Sequence, residues 1–276
     1  MKALIFALLI LPSLALAKVE SNYTLTPNAG QHEVIPNVGL AVAIIEFEDN
    51  TKTESAGRHI GLQYYYGVND TLAIGAEIAH SKSVSETRGP TILAATSTSK
   101  GFADPIFRIK GNLELDQLGL FYSAGYIPSV VEAKYNADTN EYSQSNGQNS
   151  YVLQTGLAMP LSEHILGAIL DYQKNLKGTE KYTLNGVTTD FDVEESSSHI
   201  LKLYFELEKQ YHLTGAFIHQ REFDLFHGFE VSARFETASK LEVIPQLTSL
   251  VPAHKEDFNA KDFNIFLINV SLRYLF

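Results

Sequence analysis

Nine histidines and many serines and acids give this chain most of the side chains that hydrolytic chemistry uses, but not their spacing. No His has a Ser two residues on, the spacing that would place both on one face of a strand. Asp190-x-Asp192 is present, but no Asp-x-His accompanies it, and Gly-x-Ser-x-Gly and His-Glu-x-x-His are both missing. Ser97-x-x-Lys100 has the form of a Ser/Lys pair, yet it lies in a Ser/Thr-rich stretch with no partner motif. With no Cys there is neither a thiol nucleophile nor a disulfide. Asp190, Asp192, Glu194 and Glu195 read as solvated loop charge rather than a hard-cation site. These patterns predict a protein that is not an enzyme and uses no metal or cofactor.

Other charges follow a different rule. Arg108 and Lys110 interrupt Phe107, Ile109 and Leu113. Lys202 and Glu206 interrupt Leu201, Leu203, Phe205 and Leu207, and Glu230 and Arg234 interrupt Phe229, Val231, Ala233 and Phe235. Successive side chains leave a strand on opposite faces, so each segment has an apolar face and a charged face. Glu77, Asp171, Glu242 and Arg273 hold similar positions. Charges of mixed sign on one wall either compensate one another, which removes the cost of burying each alone, or set a field that selects a passing solute. A narrow channel accommodates both roles.

About twelve segments can carry these residues, each near the length a tilted strand needs to cross a bilayer core. They cover 37–48, 57–68, 71–81, 102–114, 118–128, 149–160, 164–175, 197–209, 212–221, 228–237, 240–250 and 263–276. Short connections such as Asn69-Asp70 and Ser162-Glu163 alternate with long ones such as 82–101, 129–148 and 176–196. A soluble sandwich has no reason to alternate in this way. The pattern predicts an all-β fold over 37–276, a single up-and-down antiparallel transmembrane β-barrel with short periplasmic turns and long extracellular loops. In such a wall Glu77 approaches Arg108, Asp171 approaches Lys202, and Arg234 faces Glu242. Tyr64, Tyr66, Tyr204, Tyr211, Phe235, Tyr274 and Phe276 form one interfacial girdle, and Tyr126, Tyr172 and Phe223 the other. A formal charge of −11 without basic blocks argues against nucleic acid.

Both ends of the chain agree with export to a membrane. Lys2, the apolar run from Ala3 to Leu11 and Ala15-Leu16-Ala17 read as a secretory signal over 1–17. Residues 18–36, with Pro27, Gly30 and Pro36, read as an irregular arm or partial plug. At the other end Ile268, Val270, Leu272, Tyr274 and Phe276 alternate with Asn269, Ser271 and Arg273. This aromatic end resembles the closing strand of Gram-negative outer-membrane β-barrels. The resemblance implies an outer-membrane location, contact with membrane lipid and lipopolysaccharide, and Tyr274 and Phe276 as the signal read by the barrel-assembly machinery.

Gly101-Phe102-Ala103-Asp104-Pro105 followed by Phe107-Arg108-Ile109-Lys110, and then Leu118 to Pro128, resembles a strand pair of outer-membrane transporters of the phenol-degradation meta-pathway type. About 30 residues carry the likeness, with Ala103 standing where the family has a second Gly. It implies a porin-like channel for passive or substrate-assisted passage of small molecules, hydrophobic or aromatic ones included. Glu77, Arg108, Lys110, Asp171, Lys202, Glu206, Glu230, Arg234, Glu242 and Arg273 would then line the pore. The alternative is a non-conducting surface protein whose extracellular loops bind a partner.

Overall fold

The computed structural model describes residues 25–90, 95–115, 118–207, 212–221, 225–238, 240–254 and 260–276. All regular structure among them is β, and each of the twelve expected segments is a strand. The wall begins with β1 (His32–Phe47), β2 (Lys52–Asn69) and β3 (Leu72–Arg88). β4 (Ala95–Phe102) and β5 (Ile106–Leu115) form one interrupted wall strand, followed by β6 (Leu118–Ile127). Two short loop strands, β7 (Lys134–Asn136) and β8 (Glu141–Tyr142), precede β9 (Gln148–Leu161) and β10 (His164–Leu184). β11 (Val187–Val193) continues as β12 (Ser196–Leu207), and β13 (Leu213–Arg221) follows. β14 (Leu225–Ser232) with β15 (Phe235–Ala238), β16 (Leu241–Pro252) and β17 (Ala260–Leu275) complete the circuit.

Wall neighbours are antiparallel, and β1 pairs with β17 from Glu33↔Leu275 to Phe47↔Ala260. This closure makes a twelve-stranded barrel. It also satisfies the backbone, because a lipid-exposed sheet edge would leave polar groups with no partner. Val38, Leu40 and Val42 on β1, Leu201 and Leu203 on β12, and Leu247 on β16 are all exposed on the outside. A soluble protein would bury them; a lipid-facing wall presents them. Their alternates, such as Glu33, Glu206, Glu230 and Arg273, are buried inside.

The structure departs from the sequence pattern in several places. β1 starts at His32, so the last residues assigned to the arm belong to the wall. Pro36 has no N–H to give, and the β1–β17 ladder skips Ile35 and Pro36 between Val34↔Tyr274 and Asn37↔Ser271. The signal segment 1–17 lies outside the described residues. Agreement is found at Asn185-Gly186, a hairpin signal within 179–195 that predicts strands extending above the membrane as a ribbon: β10 runs well above the membrane and turns there, both residues in the left-handed region (φ 51° and 73°), into β11. This is the paired positive-φ geometry of a tight hairpin. The long connection 129–148 carries strands of its own: β8 pairs with β4 and β7 with β10, so the two fill the wall above β6 and β9.

Nor is the interior uniformly hydrophilic. Phe121, Ile165, Ile169 and Tyr204 form a buried apolar cluster with Ala158 and Ala216. Tyr204 was expected in a girdle, but its neighbours in sequence Leu203 and Phe205 take the lipid face and turn it inward. Its ring occupies the space where Gly167 has no Cβ, and Phe121 does the same at Gly156. Tyr64, Tyr66, Phe235, Tyr274 and Phe276 are exposed at the short-turn end, and Tyr126 and Tyr172 towards the long-loop end. Tyr211 and Phe223 lie outside the described residues.

Candidate functional site

The interior charges are the site the sequence singles out. The ten expected residues all project from the inward face, and the wall brings most of them into two groups. In the first, Arg108 Nε donates to Glu77 Oε1 at 2.8 Å, as expected, and its NH1 group donates to Ser123 Oγ at 3.1 Å. Tyr65 donates its hydroxyl to the same Glu77 oxygen. The Tyr65 ring lies over Gly75, where a Cβ would meet it, and this flat seat aims its hydroxyl at Glu77. Lys110 Nζ sits 3.8 Å from the centre of that ring and donates to Glu33 Oε2 at 2.7 Å. Arg273 donates through Nε to Glu33 Oε1 at 2.5 Å and through NH1 to Glu242 Oε2 at 3.0 Å.

The chain of contacts therefore runs Glu242–Arg273–Glu33–Lys110–Tyr65–Glu77–Arg108–Ser123. It draws on β16, β17, β1, β2, β3, β5 and β6, which are consecutive in the wall, with Lys110 of β5 reaching across to Glu33 of β1, and it includes the seam where the barrel closes. Its carboxylates (Glu33, Glu77, Glu242) match its cations (Arg108, Lys110, Arg273) in number, so no net charge is left in the low-dielectric wall.

The second group lies on the opposite wall. Lys202 Nζ donates to Glu230 Oε2 at 2.8 Å, and its charge also reaches Asp171, as expected. Register sets the hydrogen bonds: Lys202 is level with Ile169, while Asp171 is level with Ile200 and takes a hydrogen bond from Gln154 Nε2 at 2.6 Å. Arg234 was expected to face Glu242. It instead places its NH2 group 2.9 Å from His212 Nδ1, which itself lies 3.5 Å from the fully buried Glu206. Glu242 is drawn away to Arg273 because β16 pairs Glu242↔Arg273 with β17.

A cavity of about 440 Å³ separates the two walls. Glu33, Lys110, Arg108 and Arg273 border it together with Ile35, Ile244 and Phe121, and Lys202 and Gln154 reach it from the other wall. Its lower end meets the segment before β1. Gly30 N donates to Gly67 O and Ala29 N to Asp70 Oδ1, which fixes that segment across the short-turn end. Thr26 and Pro27 are buried, and Asn112 Nδ2 donates to Thr26 Oγ1 inside the barrel. Residues 25–31 thus form a strap over the periplasmic end of the lumen.

Glu33 and Tyr65 were not among the expected site residues. The parity of Tyr64 and Tyr66, both outward, could have found Tyr65. Glu33 was hidden by Pro36, which reads as a strand stop. Ser97 and Lys100 leave β4 on opposite faces, so they cannot act as a nucleophile–base pair. Tyr274 and Phe276 lie outward beside the seam. Their rings stack at 5.6 Å, His32 stacks on Phe276 at 5.2 Å, and the His32 and Phe276 backbones exchange both hydrogen bonds.

A closed ring of antiparallel strands, oily outside and charged within, defines a transmembrane β-barrel of the bacterial outer membrane. Residues 4–190 match the outer membrane protein beta-barrel domain family, and the chain belongs to that family. Among solved structures it is similar to an outer membrane channel from Pseudomonas putida F1 at 12% identity. That match covers 94% of this chain and 100% of the other, with a TM-score of 0.61. It is also similar to the transport unit of the autotransporter AIDA-I from Escherichia coli, at 10% identity, 99% and 97% coverage and a TM-score of 0.54. At these identities the likeness is one of fold. No curated protein matches the sequence.

Proposed function

We propose that this barrel is a channel for small molecules that combine an apolar or aromatic body with a polar group. The observation that carries the proposal is a cavity lined mainly by charged and polar side chains, among which Leu25, Ile35, Phe121 and Ile244 supply apolar surface. At about 440 Å³ it is roomy for such a solute, given that a cavity of about 150 Å³ suffices for benzene. Five of the ten expected charges, Glu77, Arg108, Lys110, Lys202 and Arg273, border this space, and their mixed signs form a transverse field; Glu206, Glu230 and Arg234 are buried behind it. The fold shared with a Pseudomonas putida outer membrane channel supports passage, as does the resemblance of residues 101–128 to aromatic-pathway transporters. On this proposal 1–17 is an export signal of a Gram-negative cell, Tyr274 and Phe276 are read by the assembly machinery, and lipopolysaccharide surrounds the outer rim. The strap at 25–31 is the periplasmic constriction.

Single-channel recording in planar bilayers tests it. The barrel should show discrete conductance, and Arg108→Ala or Lys110→Ala should each shift permeability towards cations by removing an interior positive charge. The strap favours a second reading, a sealed surface protein. No conductance either in the mature chain or in one shortened to begin at His32 would establish the second reading and end the first.

A further inference from the structure

The outward face above the membrane carries a row of cations that the channel proposal does not use. β2, β3 and β4 are in register here: Arg58 is directly opposite Lys82, and Lys82 directly opposite Lys100. All three side chains are exposed and all three point outward. Like charges directly opposite one another on a sheet face are destabilising. On the same face of β2 and β3, further from the membrane, Glu54 and Glu86 are already held by Lys52 and Arg88. Among the described residues none of Arg58, Lys82 and Lys100 has an ion pair.

The loop strands extend the row. β8 pairs with β4, and β7 then places Lys134 level with Lys181 of β10. Lys181 is neutralised by Glu132 at 2.6 Å and lies opposite Asp190. A cleft of about 690 Å³ opens between β4 and β7, bordered by Lys82, Lys100, Lys134, Asn136 and Thr183. Glu141 is the one carboxylate on its rim, and it accepts a hydrogen bond from Thr139 Oγ1 at 3.1 Å.

Height selects the ligand. The outward residues immediately below the row are Ile60, His80 and Phe102, and the last two rings meet edge to face at 5.0 Å. One outward step along a strand rises about 7 Å. The cations therefore stand just above the last apolar and aromatic band, at the depth of lipid headgroups.

We infer that the face over Arg58, Lys82, Lys100 and Lys134 is a binding site for the phosphate groups of the outer-leaflet glycolipid. Acyl chains of that lipid would lie along Ile60 and Phe102 while its phosphates bridge neighbouring lysines and remove their mutual repulsion. The inference rests on the outer-membrane placement and not on conduction.

The test uses the mature barrel folded in lipopolysaccharide-free detergent and the triple variant Arg58→Gln, Lys82→Gln, Lys100→Gln. The probes are diphosphoryl lipid A, dephosphorylated lipid A and inorganic phosphate. Native mass spectrometry counts bound lipid, and heat-modifiable migration on gels gives the melting point. Without lipid the variant should melt at the same temperature as wild type or higher, because like charges have been removed. Wild type should bind diphosphoryl lipid A about tenfold more tightly than the variant, and only wild type should gain stability from it. Equal retention by both proteins overturns the site. So does equal binding of dephosphorylated lipid A, and so does full competition by millimolar inorganic phosphate, which would make free phosphate the ligand. Channel activity is not read, so failure here leaves the conduction proposal standing and the reverse also holds.

Discussion

Glu33→Gln is the most informative single change. The native carboxylate is fully buried and holds both Lys110 and Arg273 at hydrogen-bond distance. Each contact is worth about 4 kcal/mol of Coulomb energy at 4 Å and an effective dielectric near 20. Desolvating the three groups offsets much of that, so the native cluster adds little net stability. Removing one member is different, because it leaves two cations inside with half of their compensation gone. Breaking a buried pair in this way costs about 3–5 kcal/mol. Gln keeps the volume and one acceptor, so the loss is assigned to charge rather than to a void. The folded-to-unfolded ratio should fall by about two to three and a half decades, at about 1.4 kcal/mol per decade. Urea titration in detergent micelles, followed by the gel mobility of folded barrel, measures it. Lys110→Met in the Glu33→Gln background should restore about 2 kcal/mol, since the two sites are in contact and couple. If Glu33→Gln stays within about 0.5 kcal/mol of wild type, the ionic belt does not hold the seam together.

Three other outcomes follow from the same structure. Asp104 accepts hydrogen bonds from Val130 N, Val131 N and Ser145 Oγ at 2.8, 2.7 and 2.5 Å, so Asp104→Ala should release the 128–147 loop at a cost of about 2–3 kcal/mol, seen as faster proteolysis inside it. In the same region the hydrogen bond and charge of Lys181 hold the Glu132 carboxyl below its ordinary value of 4.5, and Glu132 raises Lys181 in turn. A depressed carboxyl contributes above its unfolded value and loses that contribution as pH falls through its folded one. A raised lysine contributes below its unfolded value and loses it as pH climbs through the folded one. Amide protection of β7 should therefore be flat across neutral pH and decline below about pH 4 and above about pH 10, and a flat profile through both limits would refute the link. Finally, Phe276→Ser should reduce the heat-modifiable fraction recovered from cells while leaving refolding in detergent unchanged; equal recovery would remove the terminal ring from assembly.

The strand pattern was legible because lipid outside and charge inside enforce a strict two-residue period. Arg108, Lys202 and Glu230 were placed on the inward face by their flanking residues alone, Phe107 and Ile109, Leu201 and Leu203, and Phe229 and Val231. Partners were less legible, because pairing depends on register. A one-rung offset sends Lys202 to Glu230 and leaves Asp171 to Gln154. Glu33 was missed because Pro36 signals a break, and only the closed ring shows that β17 tolerates the missing donor there. The ribbon above β10 was legible from Asn185-Gly186, but the bulge between Asn175 and Gly178 shifts the register and hid that the ribbon continues the wall strand.

The contact from Arg273 to Glu33 joins residues 240 positions apart in the chain. Everything between them must be synthesised, threaded and paired before the circle can shut. Until then the growing sheet has two bare margins, the first strand waiting for the last. A mature chain that loses β17 would not be a slightly weaker cylinder but a curled ribbon with sticky borders, prone to find a second copy of itself.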